Sequence, residues 1–311
     1  MNADYAILAD ITCDLSPELR QRFGVDGYLK TYMTTPDGRE VAGSLDMSEA
    51  EVDAFYASLK ANSKGYKSAA PSVEDAASYF ETFLAQGRDV LALSISSKLS
   101  ATYNVMKNAG DAMRAKYPDR KIFVVDSMRY SLALGLLTTR ACELRAGGHS
   151  IDDAVATLES TKSVVHQMGP IDDLFWVASK GRVSHAAAFF GSMAGIKPMG
   201  DFDSDGMVTV LTKVSGYEKA YAATVAYIEK TIRSAGEQTI LVGHSARRAQ
   251  AETMASRIRD TIHPKDVIVS DIYPMSGINA GPGIVAAYYL GCEISDLKYE
   301  TEVMHAIVRK G

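Results

Sequence analysis

Cysteine is scarce in this chain, which has three cysteines among 311 residues. Cys13, Cys142 and Cys292 show none of the paired spacings of a disulfide framework or a zinc cluster. The cysteine pattern therefore argues against a disulfide-stabilised extracellular scaffold and favours a reducing compartment. We expect a cytoplasmic protein without a metal site.

An excess of basic residues is also missing. The chain has 33 Lys and Arg residues against 38 Asp and Glu residues, which gives a formal net charge of −5. Proteins dedicated to nucleic acids usually carry a basic excess or a dense basic stripe. The charge balance therefore argues against a nucleic-acid partner.

Apolar stretches suited to a membrane are lacking as well. The first ten residues have no basic segment and include Asp4 and Asp10, so they do not resemble a signal peptide. Residues 273–292 carry no charge, but prolines and glycines interrupt them. This stretch is predicted to be a glycine-rich turn followed by a buried helix at 284–290, not a membrane span.

The length of the chain suits two domains, at about 150 residues each. Hydrophobic residues make up 47% and charged residues 23%, which is ordinary for a globular protein and argues against long disordered segments. The helix predicted at 151–162 is expected to bridge the two halves. We predict domains at 1–160 and 161–311.

Short apolar runs alternate with helical patterns in the first half. The runs are 5–10, 90–95 and 122–125, and helical patterns at 100–116 and 130–145 follow the last two. Runs that are apolar at every position are typical of parallel strands covered on both faces. The first domain is therefore predicted to be a three-layer α/β/α domain with a parallel sheet.

The second half shows a different pattern. Asp205 and Gly206 precede a strand-like run and predict a hairpin. Further apolar runs and helical segments indicate a C-terminal two-layer α/β domain with a mixed sheet, and residues 300–309 are predicted to form a short amphipathic helix. The predicted helices cover 216–234 and 246–262, and the predicted strands cover 239–243 and 267–273.

Motifs that would identify a nucleotide-binding protein or a hydrolase are absent. The sequence contains no GxGxxG, GxxxxGK[ST] or GxSxG motif. Its six histidines show no HxxxH or HxH spacing, which gives metal binding little support. Thr12 occupies the position where an Asp-x-Asp phosphotransferase needs its second aspartate, so Asp10 is instead expected to order the hydroxyls of a neighbouring loop.

A cluster of hydroxyl residues marks a predicted strand-to-helix junction. Residues 94–103 contain four serines and Thr102. Hydroxyls and free amides at a helix start suit a carboxylate or phosphate ligand. In the alternative interpretation, one serine caps the helix and the others are solvated. The residues alone leave both interpretations open.

Two later segments have similar anion-binding chemistry. Arg182 follows Gly181 at the head of an apolar stretch, where it suits an acidic group or is simply a solvated side chain. The turn 281–283 reads Gly-Pro-Gly and permits close approach of an anion to the backbone, although it is too short for a nucleotide fingerprint.

Taken in order, these segments resemble the DegV family of bacterial fatty-acid-binding proteins. The resemblance runs from residue 5 to about residue 291. Ser68 and Asn279 stand where the family usually has Thr and His. The matching segments are ADITCDL at 9–15, SAAPS at 68–72, ISSKLSATY at 95–103, VVDS at 124–127, KGRVS at 180–184, IKP at 196–198 and NAGPG at 279–283.

The resemblance implies a function as well as a fold. A long-chain fatty acid is expected in a tunnel between the two domains. A separate kinase subunit then makes the acyl phosphate for phospholipid synthesis. The protein itself is implied to be a substrate carrier and not an enzyme, with no catalytic residues and no cofactor besides the bound fatty acid.

The family pattern also implies roles for particular residues. Ser68 and Ser97 would donate hydrogen bonds to the ligand carboxylate, with Ser96 as the rival of Ser97. The small and apolar residues from Ala186 to Ile196 would line the tail tunnel, or would instead belong to the ordinary hydrophobic core. The residues implied at the mouth are Arg182, Asn279, Gly281 and Gly283, and those implied in the tunnel are Phe189, Phe190, Met193 and Ile196.

Two other functions stay open at this point. One is a serine-dependent hydrolase or phosphotransferase that acts on a small acidic or acyl substrate, with Ser97 assisted by His244 or Asp126. The other is an interaction protein that binds no small ligand.

Overall fold

The structure is a computed structural model that describes residues 4–184 and 195–310. The described strands are β1 (Tyr5–Asp10), β2 (Gly27–Leu29), β3 (Tyr32–Thr34), β4 (Glu40–Ala42), β5 (Lys67–Ala69), β6 (Asp89–Ser94), β7 (Ile122–Asp126), β8 (Val165–Pro170), β9 (Val183–Ser184), β10 (Ile196–Phe202), β11 (Val208–Ser215), β12 (Thr239–His244), β13 (Asp266–Asp271) and β14 (Val285–Leu290). The described helices are α1 (Pro17–Phe23), α2 (Glu49–Ala61), α3 (Val73–Leu84), α4 (Thr102–Lys116), α5 (Leu132–Ala146), α6 (Ile151–Thr161), α7 (Leu174–Ser179), α8 (Tyr217–Thr231), α9 (Arg248–Ile262), α10 (Pro274–Ala280) and α11 (Lys298–Lys310).

The chain divides into two compact units, and each is assembled from separate segments. A change of unit falls between Lys162 and Ser163, beside the predicted boundary after residue 160. A single boundary in the sequence, however, would assign residues 48–61 and 273–276 to the wrong units. Unit 1 comprises residues 4–47, 62–162 and 273–276, and unit 2 comprises residues 48–61, 163–184, 195–272 and 277–310.

Hydrogen bonds explain the placement of the two short segments. Tyr56, in the segment 48–61, donates its hydroxyl proton to the backbone carbonyl of Ile272 at 2.7 Å, within unit 2. In unit 1, the backbone amide of Tyr273 donates to Asp14 Oδ1 at 3.1 Å. Buried polar groups need such partners, and these come from distant parts of the chain.

Unit 1 contains a four-stranded parallel sheet in the order β2-β1-β6-β7. Every residue of β1 is buried, which follows from its apolar run and confirms the predicted strand. Helices α3 and α4 cover one face around Phe80 and Met106. Helices α5 and α6 pack on β1, β6 and β7, and the alternation of side chains along a strand places them on the opposite face. The predicted α/β architecture is confirmed.

Capping residues set the start of several helices in unit 1. The hydroxyl of Ser16 accepts a hydrogen bond from the amide of Leu19, and Pro17 occupies the first turn of α1. Ser150 caps α6 in the same way through the amide of Asp153. The helix predicted at 151–162 is confirmed as α6. Unit 1 also has a small antiparallel sheet in the order β4-β3-β5, which was not predicted.

Unit 2 is built on a seven-stranded mixed sheet in the order β13-β12-β14-β8-β10-β11-β9. The hairpin predicted at Asp205 and Gly206 is confirmed, since β10 and β11 pair antiparallel on either side of it. Helices α8, α9 and α11 supply a common core with the sheet, through residues such as Tyr227, Met254 and Met304. The mixed sheet and the C-terminal helix were predicted.

The helix predicted at 284–290 is wrong. Residues Val285–Leu290 form the strand β14, which pairs antiparallel with both β12 and β8. A buried central strand and a buried helix both present an apolar run of this length, so periodicity does not distinguish them. The β-branched and aromatic residues Val285, Tyr288 and Tyr289 favour the strand.

Candidate functional site

The carboxyl ends of β1 and β6 are joined by the side chain of Asp10. Its Oδ2 accepts hydrogen bonds from the backbone amide of Ile95 at 2.6 Å and from the hydroxyl of Ser94 at 3.1 Å. Its Oδ1 accepts from the amide and the hydroxyl of Thr12 at 2.8 and 2.5 Å. The predicted ordering of a neighbouring hydroxyl by Asp10 is confirmed.

Asp10 is fully buried, and its ionisation reflects that position. Burial raises the pKa of Asp10, while the hydrogen bonds from Ile95, Thr12 and Ser94 act to lower it. Because Ile95 begins the serine-rich loop, these bonds fix where the loop leaves the sheet.

Residues at the end of β7 and just after it bind the next residues of the serine-rich loop, Ser96 and Ser97. Asp126 Oδ1 accepts hydrogen bonds from the backbone amides of Ser97 at 3.2 Å and Met128 at 2.9 Å. The amide of Ser96 donates to the carbonyl of Arg129 at 2.9 Å. The loop after β6 is therefore held by side chains and backbone at the ends of two neighbouring strands.

Ser97 is half-buried and Ser96 is almost fully buried. Ser96 Oγ accepts a hydrogen bond from the amide of Lys98 at 3.2 Å. Among the described residues the Ser97 hydroxyl makes no hydrogen bond. Of these two serines, Ser97 is therefore the one that reaches the protein surface, and its hydroxyl proton is available for a hydrogen bond to a ligand.

The serine cluster contributes one hydrogen bond to the start of α4. Ser100 Oγ accepts a hydrogen bond from the amide of Thr102, the first residue of α4, at 3.2 Å. Ser100 and Thr102 hydroxyls also lie 2.9 Å apart. Ser100 therefore satisfies one amide at the start of α4, whereas the N-cap residue, Ala101, forms no side-chain cap.

Ser68, the other predicted carboxylate donor, lies on a different sheet. It is the middle residue of β5, is exposed, and pairs with Met33 of β3 in the small antiparallel sheet. No pairing in the described sheets joins β5 to the parallel sheet that carries Ser97.

A second buried carboxyl lies near Asp10, at Asp14. Its Oδ2 accepts a hydrogen bond from the Ser131 hydroxyl at 2.6 Å, and its Oδ1 accepts from the amide of Tyr273. Burial raises the pKa of Asp14 to about 8, against the hydrogen bonds from Ser131, Ser276 and Tyr273. At neutral pH the Asp14 carboxyl is therefore mostly protonated and uncharged.

The predicted mouth residues all lie in unit 2. Arg182 is exposed, and its guanidinium donates to the carbonyl of Lys180. Asn279 is half-buried in the last turn of α10. Ile196 is half-buried at the first position of β10. Phe189, Phe190 and Met193 lie outside the described residues.

The glycine turn 281–283 requires its glycines. Both adopt a positive φ, +81° at Gly281 and +98° at Gly283, which favours glycine. A Cβ at Gly281 would lie 3.0 Å from the indole of Trp176, and one at Gly283 would lie 2.2 Å from Asp172 Oδ2. The turn therefore brings its backbone directly against an aromatic ring and a carboxylate.

That carboxylate belongs to a charged cluster that the sequence did not reveal. Lys197 Nζ lies 2.8 Å from Asp172 Oδ1 and 2.9 Å from Tyr217 Oη. Arg247 Nη2 lies 3.0 Å from Tyr217 Oη and 3.6 Å from Asp172 Oδ2. Two cations face one carboxylate, so these four side chains carry a net positive charge that suits an anion.

The alternative use of Ser97 as an activated nucleophile needs an adjacent base. Asp126 contacts Ser97 through the backbone amide, and among the described residues no hydrogen bond joins it to the Ser97 hydroxyl. His244 belongs to the other unit, where it lies 3.5 Å from Asp271. Burial lowers the pKa of His244 to about 4, aided by the charge of Arg248.

No helix in the described part of the chain is long and apolar enough to cross a lipid bilayer. Within residues 4–184 and 195–310, no group of three or more His, Cys, Asp or Glu side chains is placed to hold a metal ion.

The sequence profile of the DegV family, described as uncharacterised proteins, matches residues 4–291. A DegV domain-containing protein of Clostridium perfringens is 31% identical over 292 residues, which cover 92% of this chain and 97% of the relative. A DegV lipid-binding protein from Thermotoga maritima superposes with a TM-score of 0.81 at 23% identity, over 94% of this chain and 100% of that one. A stearic-acid-binding protein from Eubacterium ventriosum superposes with a TM-score of 0.79 at 21% identity, over 96% and 99% of the two chains. The resemblance found in the motifs is thus confirmed over nearly the whole sequence, and the chain belongs to the DegV family.

Proposed function

We propose that this protein binds a long-chain fatty acid and presents its carboxylate to a separate kinase subunit, which forms the acyl phosphate for phospholipid synthesis. The binding step is supported by the solved relatives that are described as binding lipid or stearic acid. The observation that carries the proposal is the half-buried Ser97 hydroxyl, which has no partner among the described residues and lies at the carboxyl end of a parallel sheet. Ligands commonly bind at that edge of α/β sheets.

The apolar tail and the carboxylate head of such a ligand contribute to the binding free energy in different ways. Burial of the tail gains about 0.8 kcal/mol per CH₂, so a chain of about sixteen carbons contributes on the order of 10 kcal/mol before ordering costs. The carboxylate needs hydrogen-bond donors, because an unpaired buried charge is costly. We assign the donor role to Ser97, with Ser96 and Ser68 as further hydroxyls.

Asp10 and Asp14 are buried carboxyls at the end of β1 and just after it, and their charge affects the binding of an anionic head group. Asp10 already accepts hydrogen bonds from Ile95, Thr12 and Ser94. Asp14 is mostly uncharged at neutral pH because burial raises its pKa to about 8. Repulsion between Asp14 and a fatty acid carboxylate is therefore limited below that pH.

The remaining assignments are proposals carried over from the motifs. Arg182, Asn279, Gly281 and Gly283 would lie near the mouth, and Phe189, Phe190, Met193 and Ile196 would line the tail. The predicted location in an interdomain tunnel stays a prediction. The net positive cluster at Lys197 and Arg247 adds a candidate site in unit 2 for the phosphate group of the product.

Replacing Ser97 by alanine is expected to weaken fatty acid binding about 10- to 100-fold, because a hydrogen bond to a charged acceptor is worth about 1.5–3 kcal/mol. Affinity is measured by titration of delipidated protein, after organic extraction and mass spectrometry have identified the acid that copurifies. Ser160→Ala, at an exposed serine of the same unit, is the matched control. Unchanged affinity in Ser97→Ala would remove Ser97 from the site, and the absence of any bound or titratable fatty acid would overturn the lipid-binding function.

The kinase step is tested separately. Protein loaded with its fatty acid is mixed with ATP, Mg²⁺ and a candidate kinase subunit, and acyl phosphate is trapped as a hydroxamate by hydroxylamine. We expect hydroxamate only when all components are present. If a kinase that is active with another DegV protein gives no product here, the presentation role fails while lipid binding stands.

A further inference from the structure

A thiol, an imidazole and a carboxylate lie in a row in unit 2, in residues that the proposed function does not use. His166 Nδ1 on β8 lies 2.6 Å from Asp201 Oδ2 on β10. On the other side of the ring, His166 Nε2 lies 3.8 Å from Cys292 Sγ. His166 and Asp201 are fully buried, whereas Cys292, two residues beyond the end of β14, is partly exposed.

The hydrogen bonds define the protonation state of the imidazole. Nδ1 faces the Asp201 carboxylate, and Nε2 lies 2.9 Å from the backbone carbonyl of Cys292. Both partners are acceptors, so both ring nitrogens carry a proton and the ring is an imidazolium. Burial alone lowers the pKa of His166, but the Asp201 charge and the hydrogen bonds to Asp201 and Cys292 raise it to about 10.

The groups around the imidazolium preserve this arrangement. Asp201 Oδ1 accepts from the backbone amide of Gln167 at 2.9 Å, and Oδ2 accepts from the Tyr227 hydroxyl at 3.1 Å. The ring of Tyr289 stacks on His166 with 5.2 Å between centroids. Glu300 of α11 interacts electrostatically with both Asp201 and His166, and burial raises the pKa of its carboxyl. Asp201 is thus the carboxylate that balances the charge of His166.

Backbone contacts hold the thiol in place beside the ring. The amide of Cys292 donates to the carbonyl of Thr231, and the amide of Gly291 donates to the carbonyl of Val164, both at 2.8 Å. A Cβ on Gly291 would lie 2.6 Å from His166 Cδ2, so only glycine lets the ring come this close. Glycine at position 291 therefore allows the imidazole to lie close to the sulfur, and the two backbone hydrogen bonds fix the position of Cys292.

The other two cysteines of the chain lie in surroundings that differ from those of Cys292. Cys13 and Cys142 are both buried in unit 1. Burial raises the pKa of Cys142 to about 12 and that of Cys13 further still. Thiols of this kind are inert, whereas a partly exposed thiol beside a cation is the environment in which cysteines react.

We infer that Cys292 is a site of covalent modification by small electrophiles of the hydroperoxide class, with His166 and Asp201 as positioning residues. The imidazolium stabilises negative charge on the sulfur. The sulfur then attacks one oxygen of the peroxide, an S–O bond forms and the O–O bond breaks. The departing hydroxide (from hydrogen peroxide) or alkoxide (from an organic hydroperoxide) takes up a proton and leaves as water or an alcohol, so the cysteine is oxidised to the sulfenic acid and the peroxide is reduced.

The test uses the full chain and hydrogen peroxide, with dimedone to trap the sulfenic acid and peptide mass spectrometry to locate it. We expect the trapped product at Cys292 and none at Cys13 or Cys142. Iodoacetamide gives an independent rate. At pH 6.5, Cys292 is expected to react about fivefold faster than N-acetylcysteine, because the adjacent imidazolium stabilises the negative charge on the attacking sulfur. A Cys292 rate at or below that of N-acetylcysteine would overturn the inference without any mutant.

The role of the positioning residues is tested with His166→Gln and Asp201→Asn. Each is expected to lower the rate at Cys292 about fivefold, because the cation beside the sulfur is lost. His305→Gln, at an exposed histidine of α11, is the matched control and should leave the rate unchanged. If His166→Gln remains folded by circular dichroism and Cys292 reacts as before, the imidazolium does not activate the thiol and the inference fails.

Discussion

Asp10→Ala is expected to lower the free energy of unfolding by about 3 kcal/mol or more, because several buried donors lose their acceptor at once and each unsatisfied group costs about 1–3 kcal/mol. The donors are the amides of Ile95 and Thr12 and the hydroxyls of Thr12 and Ser94. The variant should also bind fatty acid more weakly, since Ile95 begins the loop that carries Ser97. Chemical denaturation and ligand titration measure the two effects.

Two variants calibrate the effect of Asp10. Asp10→Asn preserves the shape and one acceptor oxygen, so it should lose less stability than the alanine variant. Asp4→Ala, at an exposed acid that pairs with Arg88 at 3.2 Å, should change stability by less than about 1 kcal/mol. If Asp10→Ala unfolds at the same denaturant concentration as the wild type, the side chain does not hold the loop.

The second large effect is expected at Asp201. Asp201→Ala leaves the fully buried His166 without its carboxylate partner, and breaking a buried ion pair costs about 3–5 kcal/mol. The matched control is Asp111→Ala, which removes an exposed acid paired with Lys107 at 3.1 Å and should cost less than about 1 kcal/mol. Denaturant unfolding at pH 6 gives both values.

The same pair predicts a pH dependence. The pKa of His166 rises from its ordinary value of 6.5 to about 10 in the folded protein. Between these two pH values the folded state binds more protons than the unfolded state. The contribution of the ion pair to the free energy of unfolding is therefore complete below about pH 6.5, declines above it and is lost as the pH rises through 10. The difference in stability between wild type and Asp201→Ala should therefore shrink from pH 6 to pH 10. A difference that is small at pH 6, or constant with pH, would contradict the ion pair.

The long, regular elements could be predicted from the sequence. The apolar runs of β1, β6 and β7 and the caps at Ser16 and Ser150 depend on neighbouring residues only, so local patterns suffice for them. Strands of three residues such as β3 carry too short a pattern. The strand β14 was predicted as a helix because its neighbours β12 and β8 decide its conformation, and these lie far away in the sequence.

The candidate site divides in a similar way. The strand-end rule places the loop after β6 correctly, but the local sequence does not distinguish Ser96 from Ser97. That difference arises because the hydroxyl oxygen of Ser96 accepts the amide of Lys98, whereas Ser97 is held only through its backbone, by Asp126. His166 gave no signal either, since its partners Asp201 and Cys292 meet it only through the pairing of three strands.

The discontinuous composition of unit 1 has a consequence for the order of events during synthesis. Residues 273–276 complete this unit, although they leave the ribosome more than a hundred residues after Lys162, where the rest of the unit ends. Until then the buried Asp14 carboxyl lacks the amide of Tyr273. A nascent chain of about 160 residues therefore holds all four strands of the parallel sheet, but it lacks one donor to the buried Asp14 carboxyl. The surroundings of Asp14 are completed only after most of the second half has been translated.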